Sequence, residues 1–129
     1  MRVVLNSGFG GFGISDEALM RLIEQGAAVV VECPYSPPLA PVPLRDGFIG
    51  DKGYPGRVNK GGISYCLAGG DGVRADPDLV AVVSEMGEEA GDDLSTLVII
   101  EIPDSIDWYI EDHNGFETVH EEHRWWGGE

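Results

Sequence analysis

Gly8, Gly10 and Gly13 spell G-x-G-x-x-G inside the opening stretch RVVLNSGFGGFGISDEAL, between a β-branched run and the start of a helix. Glycines at this spacing after a strand let the main chain approach a pyrophosphate, and Glu32, at the end of the next apolar run, stands where an acid would accept hydrogen bonds from a ribose. Two features turn the reading away from a dinucleotide-binding fold. The helix begins only at Ser15, and Asp16 and Glu17 in its first turn repel the anion that bare amides would attract. A chain of 129 residues also lacks room for a second nucleotide-binding half and a substrate domain. A weaker site remains. Asn6 and the main chain of Gly8, Gly10 and Gly11 would hold phosphate or ribose in a concave nest, and Phe12 would either stack on a base or plug the core.

Two arginines could complete such a site. Arg74 lies two residues before Asp76-Pro77, and its planar fork of donors suits a phosphate in a way lysine does not. Its alternative use is an exposed ion pair, so replacing it is expected to leave the fold intact and weaken ligand binding. Arg124, next to Trp125 and Trp126, could neutralise a second charge while Trp125 stacks; the tryptophans could equally pack the tail onto a sheet. Other chemistries find little support. His120 and Glu122 would share one face of a strand while His123 points away, so no metal site is expected. Ser64, Cys66 and the histidines are scattered without a nucleophile elbow, so neither catalytic residues nor a cofactor are expected.

The elements that must position these residues are marked by local signals. A strand over 2–6 precedes a helix capped by Ser15 and ended by Gly26, whose Leu19, Leu22 and Ile23 form one apolar face. The run AAVVVE at 27–32 suits a strand covered on both faces, and strand, helix, strand in this order predicts a right-handed parallel crossover. Five prolines between Cys33 and Pro43 leave only an extended segment there. Asp76 and Pro77 start a second helix that runs to about Ala90, TLVIIEIP at 96–103 is a buried strand, and Asn114-Gly115 joins two strands as a tight hairpin. The expectation is one α/β domain over 1–129: a small mixed sheet, two helices, a C-terminal β-hairpin, and a Pro/Gly-rich basic loop inserted at 33–74. ISYCL at 63–67 is a short strand within that insertion.

Charge narrows the function classes. The net charge of −15 repels nucleic acid at long range, which leaves solubility or mimicry of a nucleic acid as its use. Residues 45–74 depart from this balance, holding five of the eight basic residues against three acids. Such a stretch on an acidic body is either an anion-binding lid or a flexible insertion that offsets nearby acid. Cys33 and Cys66 form no C-x-x-C pair and fit reduced thiols. No leader or membrane span is read from the sequence, and a cytoplasmic location is expected.

Three blocks, the opening stretch, RADPDLVAVVSEMGEEAG and LVIIEIPDSIDWYIEDHNGFETVHEEHRWW, resemble a family of small proteins of tailed bacteriophages and prophages. The family pattern falls here on Asn6, Gly10, Gly11, Ser15, Arg74, Asp76, Glu121, His123, Arg124 and Trp126, with departures at Ser7 and over 35–62. The resemblance implies a phage origin and an α/β fold, with no established reaction. In that context the expected activity is counter-defence in the host cytoplasm. A non-enzymatic homo-oligomer would bind and sequester a nucleotide-derived immune signal, of the cyclic ADP-ribose type or a cyclic dinucleotide, with no direct nucleic acid or membrane contact. The alternative is an acidic mimic of nucleic acid that inhibits a host defence protein.

Overall fold

A computed structural model describes residues 1–33 and 40–122. The chain is mixed α/β, with two helices, several antiparallel sheets and a C-terminal hairpin. β1 (Arg2–Asn6) pairs antiparallel with β7 (Leu97–Glu101) as a two-stranded ribbon. β2 (Val30–Glu32), β3 (Pro41–Pro43), β4 (Ile49–Asp51), β5 (Arg57–Lys60) and β6 (Ile63–Leu67) form a separate sheet in the order β2-β6-β5-β4-β3. β8 (Trp108–His113) and β9 (Phe116–Glu121) make the hairpin.

Both helices begin where their caps stand. α1 (Asp16–Glu24) starts at Ser15, whose hydroxyl accepts from the Ala18 amide, and it ends before Gly26 at φ +69°. α2 (Pro77–Met86) starts at Asp76, whose carboxylate accepts from the Asp78 and Leu79 amides, and it tightens into a 3₁₀ turn over Gly87–Ala90. α1 lies against β5 and β2, α2 lies against β1 and β7, and the helices pack on each other. The core therefore draws on both sheets: Val4 and Leu97 come from the ribbon, Leu19, Leu22, Leu79 and Val82 from the helices, Val58 from the larger sheet and Phe48 from the turn before its β4.

Three expectations need correction. There is no parallel crossover among the described residues, because β1 and β2 belong to different sheets and every strand pairing is antiparallel. The apolar run at 27–32 buries only Ala27 and Val29, in the exit from α1; Val31 and Glu32 are exposed on an edge strand. The stretch at 33–74 is also not simply a loop, since its described part carries β3 to β6. Glycines with positive φ at Gly47, Gly56, Gly61 and Gly62 supply its turns, which is why glycine richness here marks a meander. This meander also brings the sequence-distant cysteines together, with Val31 opposite Cys66 and the Cys33 amide bonded to the Ser64 carbonyl. Both thiols are free, and burial together with the Cys33 thiol pushes the Cys66 thiol above its usual range.

Candidate functional site

The opening glycine turn connects β1 to α1 by lying against two other parts of the chain. Asn6, at the end of β1, is fully buried and every polar atom of its side chain is engaged. Its amide nitrogen donates to the carbonyls of Gly8, at 3.0 Å, and Gly115, at 2.6 Å, while its oxygen accepts from the amides of Gly8, at 3.1 Å, and Thr96, at 2.9 Å. One side chain thus ties the turn to β7 and to the hairpin tip. The remaining glycines permit close approach. A Cβ on Gly10 would overlap the Leu94 carbonyl, one on Gly13 would overlap the Asp92 carboxylate, and one on Gly115 would meet the main chain of Phe9 and Gly11. Gly11 itself holds φ +86°. The spacing that resembles a nucleotide fingerprint serves here to press three main-chain segments together.

Arg74 sits in the 3₁₀ turn Asp71–Ala75 just ahead of α2. Its Nη1 and Nη2 donate to the two carboxylate oxygens of Glu117 at 2.7 and 2.8 Å, its Nη1 also reaches the Val4 carbonyl, and its guanidinium stacks 3.5 Å from the centre of the Phe12 ring. Glu117 in turn accepts the Asn6 main-chain amide at 2.8 Å. Only 14% of the Arg74 side chain and 4% of the Glu117 side chain are exposed. The alternative of an exposed ion pair is therefore corrected: Arg74 is one half of a shielded bidentate ion pair linking β1, the 3₁₀ turn and β9. Sequence reasoning missed Glu117 altogether. The only signal for it was an acid on the inward side of the alternating strand FETVHE.

The same arginine borders a cleft. It is lined by Phe12, Gly13 and Ile14, by Pro55 and Gly56, and by Cys66 to Asp71 with Arg74, whose guanidinium stacks on Phe12, around a volume of about 290 Å³. Gly69 and Gly70 bring bare main chain to its mouth, and an added Cβ on either meets nothing within 4 Å. The Arg74 charge beside it is neutralised by Glu117, and the Asp71 carboxylate accepts the Ile110 amide. Of the residues the sequence singled out, Phe12 and Arg74 line this cleft; Asn6, Gly8, Gly10 and Gly11 do not. Arg124 and Trp125 lie outside the described residues.

Two further arginines of 45–74 also have partners within the chain, and the Lys60 ammonium lies 4.5 Å from the centre of the Phe48 ring. Arg45 donates to Glu17, Glu24 and Asp46, and Arg57 reaches Asp51 at 3.4 Å and stacks on Tyr54. The Arg45 pairs with Glu17 and Glu24 bind the β3–β4 turn to α1, and the Arg57 pair joins β5 to β4. No helix among the described residues is long and apolar enough to cross a membrane. No family model matches the chain, and neither a curated protein nor a solved structure is significantly similar to it.

Proposed function

We propose that this chain is a non-enzymatic binding protein that takes the nucleoside part of a small nucleotide-like molecule into the cleft between Phe12 and Gly69-Gly70, and so sequesters it. The observation that carries this reading is the cleft's lining, an aromatic ring stacked with a guanidinium together with bare glycine main chain, around about 290 Å³. Ligand pockets run from roughly 300 to 1,000 Å³, so the volume suits one ring system with its sugar and not a whole cyclic dinucleotide. Since Glu117 already neutralises Arg74, the cleft favours the uncharged part of the ligand and leaves phosphates toward solvent. Together with the resemblance to phage proteins, this supports capture of a nucleotide-derived host signal.

The test is a thermal-unfolding screen against nucleosides, mononucleotides, cyclic ADP-ribose-type molecules and cyclic dinucleotides. A ligand present at a hundred times its Kd adds about 2.7 kcal/mol to the folded state and raises the melting temperature accordingly. A well-folded protein that shifts with none of them does not have this function.

A further inference from the structure

The hairpin carries a second group of chemically capable side chains, unconnected with the cleft. Strand alternation and the pairing of His113 with Phe116, Glu111 with Thr118 and Tyr109 with His120 put Tyr109, Glu111, His113, Thr118 and His120 on one face. The opposite face turns Glu117 to Arg74, so this face looks outward, with Glu111, His113 and His120 between 41% and 55% exposed. Nε2 of His113 lies 3.3 Å, and Nε2 of His120 3.2 Å, from the same Glu111 oxygen, Oε2. One donor atom from each of the three residues falls within 4.8 Å of the others.

We infer that Glu111, His113 and His120 form a binding site for a borderline divalent transition-metal ion such as Zn²⁺. Two imidazoles and a carboxylate are the donor set such ions select over Mg²⁺ or Ca²⁺, which prefer all-oxygen shells. The spacing fits as well. Nitrogen and oxygen donors each about 2.0 to 2.2 Å from a tetrahedral ion stand ~3.3 Å apart, the separation already found along both His–Glu edges. Outer contacts hold the ligands in place: the Tyr109 ring stacks on the His120 imidazole with centroids 5.5 Å apart, and its hydroxyl lies 3.5 Å from the other Glu111 oxygen. The Thr118 hydroxyl, 2.8 Å from the His120 Nε2 and 3.4 Å from that of His113, yields both nitrogens to the ion and stays beside the open coordination position, where it can hydrogen-bond a bound water. The net charge of −15 adds a field that draws cations to the surface. Because the ligands come from both strands, the ion staples the hairpin.

The experiment is titration of the full chain with Zn²⁺ in competition with a chromophoric chelator, with ring-nitrogen NMR of the three histidines. One equivalent binds, it moves the Nε2 resonances of His113 and His120, and Co²⁺ in its place gives the visible bands of a four-coordinate ion. The stoichiometric step is lost in His113→Ala and in His120→Ala, weakened at least about tenfold in Glu111→Gln, and kept in His123→Ala. The proposal is overturned by the absence of a stoichiometric step, by a step that survives His113→Ala and His120→Ala, by resonance shifts confined to His123, or by displacement with excess Ca²⁺, the mark of carboxylates acting alone. The NMR readout on the unaltered protein keeps the test valid should a variant fail to fold.

Discussion

Arg74 and Glu117, 43 residues apart in the chain, meet through two parallel hydrogen bonds of 2.7 and 2.8 Å where solvent hardly reaches either. Removing one partner strands the other as a shielded charge, which typically costs about 3 to 5 kcal/mol. Arg74→Ala and Glu117→Ala are both expected to lower unfolding free energy by this order in urea titrations. Arg74→Lys recovers only part of the loss, because a point charge cannot satisfy both oxygens. Wild-type stability in Arg74→Ala would show that the pair does not hold the fold.

Asn6 makes a second prediction. Its carboxamide serves two carbonyls and two amides at once, so Asn6→Ala leaves several buried groups without partners and is expected to cost about 3 kcal/mol or more. Asn6→Asp does not rescue it, since a carboxylate has no donor for the Gly8 and Gly115 carbonyls. Hydrogen exchange locates the damage: the Gly8 and Thr96 amides, which donate to Asn6, should lose protection first.

Gly69 separates binding from folding. Its added Cβ meets no atom and its φ lies outside the left-handed region, so Gly69→Leu is expected to leave the melting temperature within a degree or two of wild type. The leucine would nevertheless occupy the mouth of the cleft. A ligand that shifts the wild-type melting temperature should no longer do so in this variant, and an undiminished shift would place the ligand elsewhere.

Arg45 predicts a pH dependence. Its guanidinium holds the Glu24 carboxyl below the ordinary value of 4.5, and the carboxylates in turn raise the arginine's own affinity for its proton. A carboxyl whose folded-state pKa is depressed contributes stability above its unfolded value and loses it as pH falls through the folded one. Arg45→Ala should therefore melt below wild type at pH 7, with the gap closing as pH falls below the ordinary carboxyl value of 4.5 and through the depressed one of the folded state. A gap that stays constant to the acid limit would mean that the arginine acts through packing alone.

What could be read from the sequence was local. The Ser15 and Asp76 caps, Pro77 at the first position of α2, and Asn114 with φ +57° before Gly115 with φ +96° each act within a few residues, and each stands where its type predicts. Partner choice was not local. Nothing in VVLN or AAVVVE says that one run pairs with β7 and the other with β6, and nothing near Arg74 points to Glu117. The hairpin cluster falls between these cases. Counting outward from the Asn114-Gly115 turn in both strands puts Glu111, His113 and His120 on one face, but a search for ligands along one strand passes over it.

β3 has a consequence for how copies of this chain can meet. Its even-numbered neighbours face β4, since the Ala40 carbonyl accepts from Lys52 and the Leu44 amide donates to Phe48. Pro41 and Pro43 therefore face outward, and proline has no amide hydrogen to offer a newcomer. The five-stranded sheet is sealed on this side against growth by strand addition. Strand addition to this sheet is left only its β2 edge, which favours closed pairs over open-ended fibres built through it.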